Sequence, residues 1–524
     1  MARAKNRHTR PNTHPLPLWP RIGLGVAAGL VTGLGFAPIG WWPATIVGLV
    51  GFFWLVGRGA PRQAAGTGYA FGLGLFGLTI SWVYVLGWWI AAAFVLFMAL
   101  WSLLVGIGVN LVHRLPWWPL WAACVWSAFE FASSRVPFGG FGWVRLAFTT
   151  PDQPLSGYLP WIGVAGTSFL VALSAGLLSG LVLRGSAAKL RLASVIALVA
   201  IFGAGLVLLT RPVQTTTNGQ TVDVGMVQGN VDGSAGPRAM GYARSVTANH
   251  VSETVMLMAR ARTGVDPMPD FVLWPENSSD MDPTQDATTA DIIDAAAQLA
   301  GRPILVGAVM AGPGPNDRQT SALWWVPGQG IEARYDKRNA VPFGEFTPMQ
   351  SLMFKLFPET KEVGKQTVPG TKPGVLHVTL PDGRPLAIGD IICYELAFDS
   401  TVYDTVRDGG QLITVQSNNA TYTGTFQPRQ QFAITRVRAM EMGRDIVVST
   451  TSSFSGMIDA KGRVLDQTQE STAAAQTYQV PEQSGVTWGV RIGPWFERVA
   501  SAIGCLAMIA GLIVAIRRRE HTQH

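Results

Sequence analysis

A short apolar run ends on a cysteine and a carboxylate in the sequence Ile388-Gly389-Asp390-Ile391-Ile392-Cys393-Tyr394-Glu395. Its β-branched residues predict a buried strand, and that strand delivers Cys393 at its end. A free cysteine is most often a buried structural residue. From this segment alone, a structural cysteine and a reactive thiol are equally good interpretations.

Two other segments place ionisable side chains after or beside strands. In the first, Phe271-Val272-Leu273-Trp274-Pro275-Glu276-Asn277, an apolar strand runs into a proline and then reaches Glu276. The second is Tyr335-Asp336-Lys337-Arg338-Asn339-Ala340-Val341-Pro342-Phe343-Gly344-Glu345, where Lys337 and Glu345 flank a Pro/Phe/Gly turn. Taken singly, each segment is better explained as a solvated surface charge.

Together the three segments indicate a catalytic site. A thiol becomes a nucleophile when a base removes its proton or a nearby cation favours the thiolate. Glu276 could take the proton of Cys393, and Lys337 could stabilise the oxyanion of a tetrahedral intermediate. His250 and His377, the histidines of this polar region, lie in no comparable setting. We therefore expect a catalytic trio of Glu276, Lys337 and Cys393, without a metal ion or a cofactor.

The three segments belong to a polar region in which predicted strands and helices alternate. The predicted strands are 222–227, 271–274, 303–310, 386–393, 411–416 and 445–450. The predicted helices are 290–300 and 430–442, and residues 459–462 carry a hairpin-turn signal. This alternation predicts an α/β domain over residues 213-487.

The remainder of the chain is apolar enough to lie in a membrane. Of the 524 residues, only 14% are charged, against about 25% in an average soluble protein. Runs of spanning length occur at about 20–37, 41–57, 66–85, 88–112, 117–133, 161–183, 190–210 and 499–516. We therefore expect a polytopic α-helical membrane domain of seven spans in residues 1-212, and an eighth span with a basic tail in residues 488-524.

Basic residues predict how the chain is oriented. If the N-terminus is inside, the inner segments carry Arg3, Lys5, Arg7, Arg10, Arg21, Arg58, Arg62, Arg114, Arg184, Lys189, Arg191, Arg517, Arg518 and Arg519. The outer segments carry only Arg135, Arg145, Arg211, Arg491 and Arg498. This bias predicts that both termini are cytoplasmic and, by parity, that region 213-487 is exported. It also accounts for much of the net charge of +7 without a nucleic-acid partner.

The motifs resemble those of the nitrilase superfamily, in which Glu, Lys and Cys occur in this order on an αββα sandwich. A domain of this kind between a seventh and an eighth span resembles the apolipoprotein N-acyltransferase family. The matching segments are Val224-Gly225-Met226-Val227-Gln228-Gly229-Asn230, Trp274-Pro275-Glu276, Lys337, Val341-Pro342-Phe343-Gly344-Glu345 and Cys393-Tyr394-Glu395.

The resemblance implies a ping-pong transferase of the bacterial inner (cytoplasmic) membrane that acts in lipoprotein maturation. Cys393 would attack an acyl ester of a phospholipid, typically phosphatidylethanolamine, and would hold the acyl chain as a thioester. The chain would then pass to the α-amine of the diacylglyceryl-cysteine at the N-terminus of an apolipoprotein.

The resemblance also implies roles for individual residues. Glu276 would be the general base, and Lys337 would stabilise the tetrahedral intermediate. Glu345 would orient Lys337 or the base, while Tyr394 and Glu395 would line the site.

Two other functions are left open by the residues. A membrane-tethered nitrilase- or amidase-type hydrolase would use the same trio, but water would resolve the thioester. A transporter with a large accessory domain would need ionisable residues inside the spans, where Glu130 is the main candidate.

The segment 349–357 also has two interpretations. Its apolar residues fit an amphipathic helix of the domain core. They fit equally well an apolar arm that covers the active site and dips into the membrane to admit acyl chains.

Overall fold

The computed structural model describes residues 16–182, 188–231 and 243–523. Within these ranges the chain forms a helical region followed by an α/β domain and a final long helix. The basic residues Arg3, Lys5, Arg7, Arg10 and Arg184, which contribute to the predicted orientation, lie outside the described residues.

The helical region places a helix at each of the first seven predicted spans. The helices are α1 (Leu18–Gly33), α2 (Trp42–Gly57), α3 (Pro61–Thr79), α4 (Trp88–Val112), α5 (Trp118–Ser133), α6 (Leu159–Val182) and α7 (Ala188–Leu209). Glycines let α1 and α3 pack backbone to backbone: a Cβ on Gly29 would lie 2.0 Å from the Phe71 carbonyl oxygen. Small residues at helix contacts are typical of helices that associate in a membrane.

The α/β domain is built on two sheets. Its strands are β1 (Thr216–Gln228), β2 (Phe271–Leu273), β3 (Ile304–Ala311), β4 (Asp317–Val326), β5 (Gly330–Asp336), β6 (Gln366–Thr367), β7 (Val375–Thr379), β8 (Pro385–Ile392), β9 (Leu412–Ser417), β10 (Ile446–Thr450), β11 (Gly456–Ile458), β12 (Val464–Gln467) and β13 (Ala474–Ser484). The first sheet has the order β13-β1-β2-β3-β4-β5, with β6 beside β4, and the second has the order β12-β11-β10-β9-β8-β7.

Strand direction decides where the loops meet. In the first sheet β1, β2 and β3 are parallel, and in the second β8, β9 and β10 are parallel. Both β4 and β5 are antiparallel to the strand before them, so β5 runs in the same direction as β2. The ends of β2 and β5 therefore lie at one edge of the first sheet, and those of β8 and β9 at one edge of the second.

The two sheets pack face to face through apolar side chains. Val224 and Leu273 of the first sheet share a buried cluster with Ile388, Ile392 and Val447 of the second. Each such side chain contributes roughly 1.5–3 kcal/mol when fully buried. This cluster holds the two edges in a fixed relation to each other.

Helices complete the layers on both sides. These helices are α8 (Ser245–Arg262), α9 (Ala287–Ala300), α11 (Asp399–Arg407) and α12 (Gln427–Met442). A further short helix of the domain, α10 (Gln350–Leu356), lies outside the layers. Helices α8 and α9 cover the first sheet, and α11 and α12 cover the second, where they also pack against the helical region. This layering agrees with the predicted αββα sandwich.

A long helix, α13 (Trp488–Gln523), follows β13 and packs against α5 and α6. Among the described residues, four stretches are long and apolar enough to cross a membrane: Trp88–Val112, Pro154–Val182, Ala188–Leu209 and Trp488–Arg518. Helix α2 is apolar but has only 16 residues. The structure therefore has four candidate spans, and the count of eight stays a prediction.

The predicted elements of the domain are confirmed. All six predicted strands are present as β1, β2, β3, β8, β9 and β10, and the two predicted helices are α9 and α12. The turn at 459–462 joins β11 to β12, which pair antiparallel. The sequence did not predict β4, β5, β6, β7, β11, β12, β13, α8 or α11, although its turn signal lies between β11 and β12.

The segment 349–357 is not a core helix. Helix α10 has no buried residue, and Leu352, Leu356 and Phe357 are exposed. The ring of Phe357 stacks on Trp89 at the start of α4, with 6.1 Å between ring centroids. The core-helix interpretation is therefore wrong, and the segment is an apolar arm that reaches the helical region.

Candidate active site

Ionisable side chains from several strand ends meet at one rim of the sandwich. Glu276 follows β2, Lys337 follows β5 and Cys393 follows β8. The Lys337 Nζ lies 2.8 Å from Glu276 Oε1 and 3.0 Å from Glu345 Oε1. The other Glu276 oxygen accepts a hydrogen bond of 2.8 Å from the main-chain N–H of Asn418, the residue after β9. The buried lysine is thus held between two carboxylates.

Cys393 occupies a sharp turn beside this cluster. It opens a short 3-10 helix and has a φ of 53°. A non-glycine residue in this left-handed region costs of order 1–3 kcal/mol, and such residues concentrate at functional sites. The thiol is close enough to Glu276, Lys337 and Glu345 to interact with their charges. The structure therefore brings together the three residues that the sequence singled out.

Burial and charge together set the protonation of the cluster. Burial raises the pKa of the Cys393 thiol, and the Glu276 carboxylate raises it further, while Lys337 lowers it. Burial also raises the pKa of Glu276, against the opposing charge of Lys337. Burial by itself would lower the pKa of Lys337, but the Glu276 and Glu345 carboxylates outweigh burial and hold that pKa well above its usual value. A carboxylate made more basic beside a charged lysine is suited to take a thiol proton.

Glu395 joins the backbone segments that carry Lys337 and Cys393. Its carboxylate is fully buried and accepts hydrogen bonds from the main-chain N–H of Arg338 at 2.6 Å and of Ile392 at 2.9 Å. It was expected to line the site. Its contacts fix the spacing between the two strand ends, and its place in the lining of the site stays a prediction.

Tyr394 faces the helical region. Its hydroxyl donates to the Gly140 carbonyl oxygen at 3.2 Å. Its ring stacks near Phe141 and Trp143, with 6.2 and 6.1 Å between centroids. Tyr394 thus connects the turn that bears the nucleophile to the loop between α5 and α6.

Sequence reasoning did not single out Asn418 or Gln431. Asn418 follows a predicted strand that lies beside β8, so the strand-end argument that found Glu276 would also have found it. Gln431 lies on the buried face of α12, and its Oε1 is 3.8 Å from the Cys393 Sγ. A glutamine inside a helix carries no comparable signal.

Asp390 provides a test of pH dependence close to the nucleophile. It is fully buried on β8 and accepts a hydrogen bond of 2.6 Å from Thr414. Burial, with the Glu395 and Glu276 charges, raises its pKa to about 8, from about 3.9 in an unfolded chain. The folded state therefore binds this proton more tightly, and stability from Asp390 is lost as the pH rises from about 4 towards 8.

We expect Asp390→Asn to raise the thermal unfolding temperature by several degrees at pH 8, because the amide needs no proton to stay neutral. The gain should shrink towards pH 4.5. Thermal unfolding of the purified protein in detergent between pH 4.5 and pH 8 measures this gain. Asp408→Asn is the control, because Asp408 is exposed. A difference from wild type that is the same at both ends of the range would contradict the assignment.

Comparisons with known proteins identify both parts of the chain. Residues 28–177 match the apolipoprotein N-acyltransferase N-terminal domain, and residues 235–488 match the carbon-nitrogen hydrolase domain. An apolipoprotein N-acyltransferase of Mycolicibacterium smegmatis is 34% identical over 518 residues, covering 94% of this chain and 85% of the relative. The chain belongs to the apolipoprotein N-acyltransferase family. A relative with the same name from Nitrosomonas europaea is 29% identical and covers 96% of this chain and 99% of its own.

Solved structures of the nitrilase superfamily are similar to about half of this chain. An amidase from Nesterenkonia is 16% identical, covers 50% of this chain and 90% of its own, and has a TM-score of 0.36. A Saccharomyces cerevisiae member of the superfamily is 14% identical, with the same coverage and TM-score.

The two family matches fall in different parts of the N-acyltransferase, one in the helical region and one in the α/β domain. Helices α2 to α5 lie within the N-terminal match, and Glu276, Lys337 and Cys393 lie within the carbon-nitrogen hydrolase match. The chain is therefore an acyltransferase whose strand-end cluster falls in the hydrolase-type part.

Proposed function

We propose that Cys393 carries an acyl chain from a phospholipid to the N-terminal α-amine of diacylglyceryl-cysteine on an apolipoprotein. The observation that carries the mechanism is the buried Lys337 ammonium between Glu276 and Glu345, next to the thiol. This arrangement supplies a base, a cation and a nucleophile within one cluster.

In the first step the phospholipid ester is cleaved. Glu276 takes the proton of the Cys393 thiol, and the thiolate attacks the ester carbonyl carbon. The Lys337 ammonium stabilises the negative oxygen of the tetrahedral intermediate. The carbon–oxygen bond then breaks, Glu276 returns the proton to the departing alkoxide, and a lysophospholipid leaves behind a thioester on Cys393.

In the second step the neutral α-amine of the apolipoprotein attacks the thioester carbonyl carbon. Glu276 takes a proton from the attacking nitrogen, and Lys337 again stabilises the oxygen. The carbon–sulfur bond breaks, the thiolate regains the proton from Glu276, and the product is an amide. Glu345 keeps Lys337 in place, since it also accepts a hydrogen bond of 2.6 Å from the Val341 main-chain N–H.

Exposed apolar surface near the site supports a lipid donor, for which phosphatidylethanolamine is our proposal. An open groove of about 420 Å³ runs along α4 and is lined mainly by apolar side chains, among them Tyr84, Trp88 and Leu96. Trp82, in the turn before α4, packs against Tyr422 with 5.1 Å between ring centroids. Tyr422 in turn lies close enough to Cys393 for the two side chains to interact electrostatically. The arm of residues 349–357 would dip into the membrane beside this groove.

The site's proposed location is the extracytoplasmic face of the bacterial cytoplasmic membrane. We propose eight spans, with 1-212 as the membrane domain, 213-487 as the exported domain and 488-524 as the last span and its cytoplasmic tail. The distribution of basic residues supports this topology, as does the presence of a helix at each of the eight predicted spans. Reporter fusions after residues 212 and 524 test it, because they should report opposite sides of the membrane.

Among the described residues, no contact specifically favours the hydrolase or the transporter. A hydrolase would follow the same first step. The transporter interpretation needs an available carboxylate, but Glu130 accepts hydrogen bonds from Trp126 at 3.0 Å and from the Leu146 main-chain N–H at 2.8 Å. It also pairs with Arg145 at 3.4 Å.

We expect wild-type protein incubated with phosphatidylethanolamine to gain the mass of one acyl chain, whereas Cys393→Ala gains none. Intact-mass measurement detects the adduct, and hydroxylamine should remove it, as expected for a thioester. Adding a diacylated lipopeptide should release the adduct and give the triacylated form. No adduct on wild type would reject the covalent mechanism, and phospholipid hydrolysis without transfer would favour the hydrolase.

A further inference from the structure

Gln431 contacts the nucleophile from a helix that the mechanism does not otherwise use. It lies on α12, is 4% exposed, and places Oε1 at 3.8 Å from the Cys393 Sγ. Hydrogen bonds from sulfur are long, and this distance fits an S–H donating to a carbonyl oxygen. Oε1 also accepts two shorter N–H bonds, so the thiol contact is the third and longest that it makes, and it gives the thiol proton an acceptor beside Glu276.

Neighbouring polar side chains fix which end of the amide faces the sulfur. Asn419 Nδ2 and Gln427 Nε2 both donate to Gln431 Oε1, at 2.9 and 3.0 Å. Gln431 Nε2 in turn donates to the Ser417 hydroxyl. If the Gln431 amide were rotated by 180°, its NH₂ group would face the NH₂ groups of Asn419 and Gln427, which are also donors. The Gln431 oxygen therefore stays towards Cys393.

We propose that Gln431 is a further residue of the catalytic site, whose side-chain oxygen holds the Cys393 S–H and keeps the resting enzyme in the thiol form. This inference rests on the proposed role of Cys393 as the nucleophile. A carbonyl oxygen stabilises an S–H donor and is unfavourable beside a thiolate. The Gln431 oxygen therefore favours the protonated thiol, as the Glu276 and Glu345 charges do, and opposes the effect of Lys337.

A thiol held in this form is protected until substrate arrives. Oxidation and alkylation both proceed through the thiolate. An enzyme whose nucleophile faces an oxidising compartment gains from a small thiolate fraction. Binding of the ester would bring the carbonyl carbon to the sulfur, and the proton would then pass to Glu276.

The test uses full-length protein in detergent, in a background in which Cys124 and Cys505 are changed to alanine. Gln431→Met keeps the length of the side chain and removes the acceptor. Gln430→Met is the matched control: Gln430 is the preceding residue, equally buried, but its amide accepts from Trp82 and Trp143 and donates to the Thr79 carbonyl oxygen. The alkylation rate and the infrared spectrum of the thiol are both measured without a lipid substrate. A negative result for Gln431 can therefore be told apart from a failure of acyl transfer.

We expect two changes in Gln431→Met that Gln430→Met does not show. Iodoacetamide should alkylate Cys393 about three- to tenfold faster at pH 7.5, the effect of losing one hydrogen bond. The infrared S–H stretching band should shift, because the S–H then donates to the Glu276 carboxylate instead of the Gln431 carbonyl oxygen. A faster alkylation with an unmoved band would mean only a loosened site and would overturn the proposal. An unchanged rate, or the same two changes in Gln430→Met, would overturn it as well.

Discussion

Lys337→Met should lower acyl transfer by about 10²–10³-fold or more, the loss typical of removing an oxyanion-stabilising group. Methionine matches lysine in length, so the cavity is nearly conserved while the charge is lost. Without the ammonium, the pKa of Glu276 rises further, since burial is no longer opposed. A larger fraction of the base is then protonated, and both half-reactions slow.

Two assays measure this effect. Conversion of a diacylated lipopeptide to its triacylated form reports both half-reactions together, and single-turnover acylation of Cys393 reports the first alone. Arg338→Met is the control, because the neighbouring Arg338 side chain points to Asp404 at 3.1 Å and is partly exposed. Activity of Lys337→Met within tenfold of wild type would remove Lys337 from the mechanism.

Arg145→Met is expected to destabilise the protein by about 3–5 kcal/mol, the cost of removing one partner from a buried ion pair. The Arg145 side chain is 3% exposed. Its guanidinium contacts Asp399 at 2.7 Å, Glu497 at 3.0 Å and Glu130 at 3.4 Å. These carboxylates belong to α11, α13 and α5, so the substitution leaves buried charges where the α/β domain meets the helical region.

Thermal unfolding in detergent checks this prediction. Arg436→Met is the matched control, since Arg436 also links α12 to the loop between α5 and α6 through Asp152, but the Asp152 side chain is 67% exposed. An exposed pair contributes about 0–1 kcal/mol. Equal shifts in the two variants would show that burial does not set the cost. A loss of transfer in Arg145→Met that exceeds the loss of folded protein would further show that the junction positions Cys393.

Short apolar and helical patterns in the sequence predicted six strands and two helices of the domain, and the other described elements were missed for a physical reason. The six predicted strands include the central strands of both sheets, which are mostly apolar and almost entirely buried. Most of β12 is exposed, β13 is only partly buried, and α8 mixes polar and apolar positions. Their burial depends on neighbours that the local sequence does not contain.

The sequence by itself determined where Glu276 and Cys393 stand relative to their strands, because a strand's end is set by a local change from apolar to polar residues. It singled out Lys337 without predicting β5, the strand that Lys337 follows. It also determined that the chain has long apolar helices. Only the tertiary structure decided that Glu395 spaces the strand ends, that Gln431 faces the thiol and that Tyr394 joins the helical region. Arg145 and Asp399 lie 254 residues apart in the chain. Such contacts arise from the packing of whole layers, and no local pattern encodes them.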